Sequence, residues 1–327
     1  MKNGKIISIG EVLVDWTCLN KTLDLNEANE FIKLPGGAPA NVAVGLAKQG
    51  YPVQFIGGFS QDIFGEWLKN HLNSLNVDVS HSQTIENAGT RCAYVLTDKN
   101  GNRVFKGFSK SLCADTMLEY DKIDLNNLKN ASIIYFGSFI QACEKSRNVI
   151  KRILENTKND NIKVYDPNLR PAVWSSVEEA VNVIKQTIKY VDVLKLSDDE
   201  VNLVSGIENN IESAAEKVFN EYSLKLLVIT MGEKGSFYIN KNGRGYVQPF
   251  KVPSVEMTGA GDGFVSGLIG GIYEYINTEN QDIENIASEE ISFILTKANA
   301  VGALATIKPG AMSALPTRKE LEEFLAK

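Results

Sequence analysis

The stretch VEMTGAGDGF, Val255 to Phe264, runs into the apolar segment FVSGLIGGIY, which is long enough for a buried helix and too short to cross a bilayer. A helix is therefore predicted to begin at or near Gly259, Ala260 and Gly261. Exposed N–H groups at a helix start carry about half a positive elementary charge, and residues without bulk let an anion approach them closely. The stretch indicates either a phosphate site with the Asp262 carboxylate beside it, or glycines that only let the helix pack closely, with Asp262 favoured by the helix dipole.

On both sides of this stretch the chain alternates short β-branched apolar runs with longer amphipathic ones. This pattern is typical of strands and crossover helices around a mainly parallel sheet. Strands are predicted at residues 5–10, 53–57, 131–137, 163–166, 191–196 and 226–230. Helices are predicted at residues 38–49, 63–75, 145–159, 177–189, 211–222, 260–275, 284–305 and 317–325. No repeat, low-complexity segment or linker divides the chain, so we expect one α/β domain over residues 1–327.

Two segments, residues 12–34 and 90–108, depart from this alternation. In the second, Asn100-Gly101 lies between RCAYVLT and RVFKGF, which predicts a hairpin because both residues tolerate the positive φ of a type I′ turn. Strands that leave the main sheet in this way are predicted to form a small flap. Such a flap is either decoration or a cover that shuts water out of a ligand site.

Composition limits the kinds of partner. The chain has 327 residues, 43% hydrophobic content and a formal charge of -6, which argues against nucleic acid and anionic membranes and favours a small molecule. Four cysteines without Cys-x-x-Cys spacing and only two histidines are not typical of a zinc cluster or a disulfide scaffold. Glu11 and Asp15 fall where the apolar part of a signal peptide would continue, so we expect a cytoplasmic protein.

A second cluster of small residues, PGGAPANVA at residues 35–43, also precedes a predicted helix, and the two clusters would frame one site. Neither a P-loop string nor a Rossmann fingerprint after the first strand is present. With both clusters, the sequence resembles the ribokinase-like carbohydrate kinases over essentially its whole length, and among them it is most similar to the fructokinases. The family's first signature, Gly-Gly-x-x-x-Asn-x-Ala, is found at Gly36, Gly37, Asn41 and Ala43.

The second signature, usually Asp-Thr-x-Gly-Ala-Gly-Asp, is found at residues 256–262, where Glu256 replaces the first aspartate. Further agreement lies in GEVLVDW (10–16), FGS (136–138), DPNLRPAVW (166–174), VLKLSDDE (193–200), TMGEKG (230–235) and KPGAMSALPT (308–317). The resemblance implies a three-layer α/β/α sandwich with a central, mainly parallel sheet and a small β-strand lid. It also implies transfer of the γ-phosphoryl group of ATP to a sugar hydroxyl, most similar to phosphorylation of the 6-hydroxyl of D-fructose.

By the same resemblance, Asp262 is the general base and Gly259, Ala260 and Gly261 form the anion hole. The sugar is expected to contact Asp15, Gly36, Gly37, Asn41, Arg91 and Arg170. Arg91 could instead make a surface salt bridge. The nucleotide is expected to contact Lys195, Thr230, Gly232, Gly235, Asn299 and Ala303, although Lys195 could also be a solvated lysine at a strand end.

The resemblance further implies Mg²⁺, which bridges the β and γ phosphates, with Glu200 acting on it through water. Ser197 replaces the asparagine of the family's Asn-x-x-Glu motif. The family's aspartate at the Glu256 position helps to bind a monovalent cation, so K⁺ is a possible cofactor and weak activation by K⁺ is our hypothesis. In relatives the edges of such lid strands often pair with those of a second subunit, so the resemblance also suggests a homodimer through the lid.

Three alternatives remain open. A 2-keto-3-deoxygluconate kinase would need an additional cation for the substrate carboxylate, and Arg91, Arg103, Lys106 or Lys110 could supply it. A nucleoside kinase would be expected to offer more apolar surface around the first signature. A non-catalytic sugar or nucleotide sensor would be expected to lose the base or the glycines, and both are present.

Overall fold

The strands of the computed structural model fall into three sheets, and the structure describes residues 4–99, 103–109, 112–157, 159, 161–278 and 282–327. The strands are β1 (Ile6–Ile9), β2 (Leu13–Cys18), β3 (Phe31–Gly36), β4 (Val53–Ile56), β5 (Gly58–Ser60), β6 (Gln83–Ile85), β7 (Cys92–Thr97), β8 (Arg103–Phe108), β9 (Ile133–Phe136), β10 (Ile162–Tyr165), β11 (Val193–Ser197), β12 (Leu226–Thr230), β13 (Ser236–Asn240) and β14 (Gly243–Val247). The helices are α1 (Ala38–Lys48), α2 (Ile63–Ser74), α3 (Leu125–Lys129), α4 (Glu144–Asn156), α5 (Val177–Ile188), α6 (Asp198–Ser205), α7 (Ile211–Tyr222), α8 (Ala260–Thr278), α9 (Ser288–Leu304), α10 (Ala311–Ala314) and α11 (Arg318–Leu325).

The central sheet has the strand order β14-β13-β12-β11-β10-β9-β1-β4. Its strands pair in parallel from β4 to β12, and β13 and β14 add an antiparallel edge. Alternate side chains of one strand enter different cores: Ile133 and Tyr135 of β9 pack with α1, α2, α8 and α9, whereas Ile134 and Phe136 pack with α3 to α7. Strands that are covered on both faces are apolar on both faces. The predicted three-layer α/β/α sandwich is confirmed.

A second sheet, the small sheet, has the order β3-β2-β7-β8. It joins the two segments that depart from the helix and strand alternation, because β2 pairs in parallel with β7 while β3 and β8 run antiparallel at the edges. The predicted turn residues Asn100 and Gly101 lie outside the described residues, but the strands that flank them are antiparallel as expected. The small sheet therefore corresponds to the predicted flap. The assignment of the whole chain to one domain with inserted lid segments stays a prediction.

Helix α6, the β13–β14 hairpin and the short elements β5, β6, α3 and α10 were not predicted, and one predicted helix begins later than expected. Helix α6 begins with a reciprocal capping box, in which the Ser197 hydroxyl accepts the Glu200 N–H and the Glu200 carboxylate accepts the Ser197 N–H. The β13–β14 hairpin turns at the string NKNG, residues 240–243. The predicted helix 284–305 begins only at Ser288, because the Ile286 carbonyl accepts the side-chain amides of Asn240 and Asn242. Within the described ranges, no helix has both the length and the apolar character that crossing a membrane would need.

Candidate active site

The carboxyl ends of the parallel strands meet at one edge of the central sheet, where ligands bind in open α/β folds. A cavity of about 530 Å³ lies at this edge. Its floor includes Glu11 after β1, Ser138 after β9 and Asn168 after β10, and helices α1 and α8 begin beside it. Its far wall consists of side chains of the small sheet, namely Leu13, Asp15, Ala93, Val95, Arg103, Phe105 and Phe108. We call it the sugar cavity.

A second cleft of about 200 Å³ lies on the other side of the first turn of α8. The residues that line it include five of the six predicted nucleotide contacts, namely Thr230, Gly232, Gly235, Asn299 and Ala303. We call it the nucleotide cleft. Met257 and Gly261 line both spaces. The two spaces therefore share a wall, and that wall is the stretch from Met257 to Gly261.

Two positions of the shared wall, Gly259 and Gly261, depend on the absence of a side chain. Gly259 has a φ of +85°, and a Cβ there would lie 3.1 Å from the Cα of Ala311. A Cβ at Gly261 would meet no atom within 4 Å, so this glycine borders open space that a side chain would fill. Because the first N–H groups of a helix have no partner inside the helix, the start of α8 offers hydrogen-bond donors to an anion in that space.

The carboxylate of Asp262 is oriented by two side-chain amides. Asn41 Nδ2 donates to Oδ2 at 2.7 Å, and Asn168 Nδ2 donates to Oδ1 at 3.3 Å. Burial raises the pKa of Asp262, while the hydrogen bond from Asn41 and the positive charges of Arg170 and Lys195 lower it. The carboxylate borders the sugar cavity beside the shared wall, where it could accept a proton from a bound hydroxyl group.

Asp15 faces Asp262 from the small sheet. Burial raises the pKa of Asp15 to about 6, and the charge of Arg103 opposes that shift. A Cβ at Gly36 would collide with the Asp15 carboxylate, so Gly36 is required for the position of Asp15 although it does not itself line the cavity. Gly37 does line the cavity and has a φ of +103°. Three of the four predicted contacts on this side, Asp15, Gly37 and Asn41, therefore border one space.

Asn168, which lines the sugar cavity, was not among the predicted site residues. Its φ of 46° lies in the left-handed region, and the next residue is anchored, because the Leu169 N–H donates to Glu200 Oε1 at 2.7 Å. The other oxygen of Glu200 accepts the Ser197 N–H at 2.8 Å. Glu200 thus connects the start of α6 to the loop that presents Asn168. A polar residue at the carboxyl end of a core strand was the signal that could have identified Asn168.

Glu11 is a second cavity residue that sequence reasoning missed. It directly follows the first strand, is 4% exposed, and accepts the N–H of Ala38 at the start of α1 with Oε1 at 3.0 Å. Burial raises its pKa to about 8, and the nearby charges of Asp115 and Asp262 act in the same direction. At neutral pH this carboxyl group is therefore mostly protonated.

Two predicted contacts lie elsewhere. Lys195 is not solvated: its Nζ lies 3.2 and 3.3 Å from the two oxygens of buried Asp166, and it lines neither the sugar cavity nor the nucleotide cleft. The expected surface salt bridge of Arg91 is also wrong, because Arg91 forms a buried, bidentate pair with Asp115 at 2.5 and 3.0 Å. Its guanidinium group lies over the ring of Phe139 and does not line the sugar cavity.

The remaining predicted residues lie close to the shared wall. Arg170 lines the sugar cavity, and its Nη1 donates to the carbonyls of Asn168 and Leu169 at 3.3 Å each. Glu256 accepts the N–H of Gly310 with Oε2 at 3.0 Å, and its Oε1 lies 2.7 Å from Arg103 Nη1. The cavity therefore contains two guanidinium groups near the carboxyl groups of Glu11, Asp15 and Asp262.

Comparison with known proteins gives the same picture over the whole chain. The family model described as pfkB family carbohydrate kinase matches residues 3–318. The chain is 35% identical over 321 residues to a probable fructokinase-4 of Arabidopsis thaliana, covering 98% of this chain and 96% of that one.

Among solved structures, a fructokinase from Xylella fastidiosa with bound ATP is 26% identical with a TM-score of 0.88, covering 100% of this chain and 99% of that one. A double mutant of fructokinase from Vibrio cholerae O395 in a fructose-, ADP- and potassium-bound form is 28% identical with a TM-score of 0.83, covering 99% of each chain. The family match, the identity and the shared fold agree with the two adjoining clefts and the carboxylate between them. The chain belongs to the pfkB family of carbohydrate kinases, enzymes that phosphorylate a hydroxyl group of their substrate.

Proposed function

We propose that this protein transfers the γ-phosphoryl group of ATP to the 6-hydroxyl of D-fructose. The observation that carries the proposal is the wall shared by the sugar cavity and the nucleotide cleft, with Asp262 on its sugar side. The γ-phosphoryl group of a nucleotide in the cleft would meet the hydroxyl group of a sugar in the cavity at the start of α8. Related fructokinases in ATP-bound and fructose-bound forms support the choice of both substrates.

In the proposed reaction, Asp262 accepts the proton of the attacking hydroxyl, a role that contributes about 10²- to 10⁴-fold in rate. The N–H groups of Gly259 and Gly261 stabilise the charge on the phosphoryl oxygens, whereas the Ala260 N–H donates to the Met257 carbonyl at 3.2 Å. Asn41 Oδ1 is buried and has no hydrogen-bond partner in the described part of the chain, so it can accept a sugar hydroxyl. Asp15, Gly37 and Arg170 supply further polar groups to the sugar, and Gly36 keeps Asp15 in place.

On the nucleotide side, Thr230, Gly232, Gly235, Asn299 and Ala303 hold ATP. We propose that Lys195 acts on the site through Asp166, and that Glu200 positions the Asn168 loop through its two backbone partners.

Magnesium, which we expect with ATP, would shield the β and γ phosphates and needs few protein ligands. The described residues contain no cluster of three or more His, Cys, Asp or Glu side chains suited to a metal ion, and this fits a metal held mainly by the nucleotide and water.

The charges of the sugar cavity favour a neutral sugar over 2-keto-3-deoxygluconate. Of the four cations that could meet a substrate carboxylate, Arg91 is paired with Asp115 and Arg103 lies against Glu256. Lys106 is exposed and outside the cavity, and Lys110 lies outside the described residues. Arg170 remains, but its charge already acts on the carboxyl groups of Asp15 and Asp262. A further carboxylate on the substrate would be repelled.

ATP turnover with D-fructose, 2-keto-3-deoxygluconate, ribose and adenosine tests the proposal, with Asp262→Asn as the blank. We expect turnover with fructose that the variant loses while it still binds ATP and unfolds at the same urea concentration. Turnover with only one of the other three acceptors would reject fructose. ATP binding without turnover on any acceptor would favour the sensor.

We also propose a cytoplasmic location, as expected for an enzyme that consumes ATP, and a homodimer through the small sheet. Phe31, Ile32, Tyr94 and Phe105 of this sheet are 37–44% exposed, and β3 and β8 are its free edges within the described chain. Sedimentation of the wild type and of Ile32→Lys tests the dimer. A monomeric wild type would contradict it.

A further inference from the structure

An ion pair connects the small sheet to the shared wall. Arg103, the first residue of β8, places Nη1 2.7 Å from Oε1 of Glu256, which lies three residues before Gly259. The side chains are 21% and 11% exposed, so the charges are largely withdrawn from water. The atoms meet the distance of an ion pair without the alignment of a hydrogen bond. Charge, more than directed bonding, therefore holds these two residues together.

Hydrogen bonds hold Glu256 in the segment that leads into the shared wall. Its Oε2 accepts the N–H of Gly310 at 3.0 Å, and its own backbone N–H donates to the carbonyl of Thr306 at 3.1 Å. The backbone N–H of Val255 donates to the same carbonyl at 2.7 Å. Glu256 therefore moves together with the segment that follows α9. Arg103 belongs to a separate sheet, so the pair forms only when the end of β8 lies against the wall.

The carboxylate of Glu256 requires a positive partner. Glu256, Asp15 and Asp262 lie close enough for the charges of Glu256 and Asp262 to act on Asp15, and the charge of Arg103 opposes them. Withdrawn from water and without a cation, Glu256 would repel both the neighbouring carboxylates and the phosphates that the wall has to receive. In the Vibrio cholerae fructokinase structure a potassium ion is bound. Here the cation beside Glu256 is a side chain of the protein.

We propose that Arg103 is a positioning residue that supplies the positive charge required by Glu256, so that closure of the small sheet completes the phosphate-binding wall and turnover needs no monovalent cation. This inference rests on the proposed function and replaces the expectation of activation by K⁺. Its consequence is coupling: the wall reaches its charge-balanced form only when β8 covers the sugar cavity. An open position of the small sheet would then leave the wall with an uncompensated carboxylate.

The test compares wild type, Arg103→Ala, Glu256→Gln and the double variant in Na⁺, K⁺ and tetramethylammonium. We expect equal wild-type rates in all three cations. We expect Arg103→Ala to lose about 30-fold or more in kcat/KM, the order found when one partner of a desolvated charge pair is removed, and to recover partly with K⁺ or added guanidinium. On the Glu256→Gln background the same substitution should cost much less. Lys106→Ala, which removes an exposed cation from the same strand, should leave every value unchanged.

Two further measurements make the outcome decisive. Arg103→Lys keeps the charge and should stay independent of K⁺, even if Arg103→Ala folds poorly. The melting temperature should rise on exchange of Na⁺ for K⁺ in Arg103→Ala and stay constant in the wild type, a readout that needs no substrate.

Activation or K⁺-specific stabilisation of the wild type would overturn the proposal. If Arg103→Ala lowers kcat/KM as much in Glu256→Gln as in the wild type, Arg103 acts on the sugar and not through Glu256. If the wild type does not phosphorylate fructose, but K⁺ raises the melting temperature of Arg103→Ala and not that of the wild type, fructose is rejected as the substrate and the ion-pair role is kept.

Discussion

Glu200→Gln is expected to destabilise the protein by about 3 kcal/mol and to leave its magnesium requirement unchanged. Both oxygens of the carboxylate accept backbone N–H groups, from Leu169 at 2.7 Å and from Ser197 at 2.8 Å, and the residue is 8% exposed. Glutamine also occupies this position of capping boxes, so its oxygen can keep the bond to Ser197. The new amide nitrogen then faces the N–H of Leu169, donor against donor.

The magnitude follows from these contacts. A hydrogen bond to a charged group contributes about 1.5–3 kcal/mol, and a buried donor left unpaired costs about 1–3 kcal/mol. Loss of one bond with partial relaxation of the loop gives about 3 kcal/mol. Because the loop carries Asn168, which donates to Asp262, we also expect kcat to fall about 10- to 100-fold, as for a small displacement of a catalytic group.

Urea unfolding followed by tryptophan fluorescence measures the free energy, and a magnesium titration of kcat measures the metal requirement. Asp199→Asn is the matched control, because Asp199 lies in the same helical turn but is exposed. It should cost less than about 1 kcal/mol, the usual effect of a first-turn charge on the helix dipole. If Glu200→Gln unfolds like the wild type and needs several-fold more magnesium, Glu200 acts on the metal and our reasoning is wrong.

Three more predictions concern polar groups in or near the candidate site. Burial raises the pKa of Glu11 from 4.5 to about 8, so the wild type should lose stability as pH rises through that interval. Glu11→Gln should lose less stability over the same interval, because only the other buried carboxyl groups, such as Asp15, still titrate there. An equal loss in the two proteins, measured by urea unfolding between about pH 5 and about pH 9, would contradict this. Lys195→Met leaves Asp166 buried without its cation and should lower the free energy of unfolding by about 3–5 kcal/mol, measured by calorimetry. If adding Asp166→Asn to this variant recovers none of the lost stability, the pairing is rejected. Asn168→Gly keeps the left-handed backbone and should lower kcat about tenfold. Asn168→Ala should in addition lose about 1 kcal/mol of stability. Identical unfolding curves for the two variants would refute the role of the backbone.

The predicted strands and most predicted helices are confirmed to within a few residues, because hydrophobic periodicity is a local property. Strand β12 and helix α7 have the predicted bounds. The β13–β14 hairpin was missed because GRGYV in β14 carries two glycines and an arginine, a composition untypical of a strand. Helix α6 was missed because it is short and begins with acidic residues, although its Ser-x-x-Glu capping box was readable.

For the candidate site, sequence reasoning identified residues better than their partners. The small-residue clusters and strand ends had to meet, since helix starts and the carboxyl ends of parallel strands share one edge of the sheet. The ion pairs of Lys195 with Asp166, Arg91 with Asp115 and Arg103 with Glu256 were not predicted. No periodicity relates such partners, because the approach of two loops or two sheets decides which charges meet.

The hydrogen bond from Asn41 to Asp262 joins residues that are 221 positions apart. At about 5–20 residues per second, a ribosome needs roughly 10 to 45 s to add the second residue after the first. During that time α1 has no α8 to pack against, and its apolar face is available to chaperones or to other nascent chains. Every new molecule therefore gains Asp262, its proposed general base, late in synthesis. A mutation that slows the docking of α8 on α1 should lower the yield of folded protein more than the activity of each molecule.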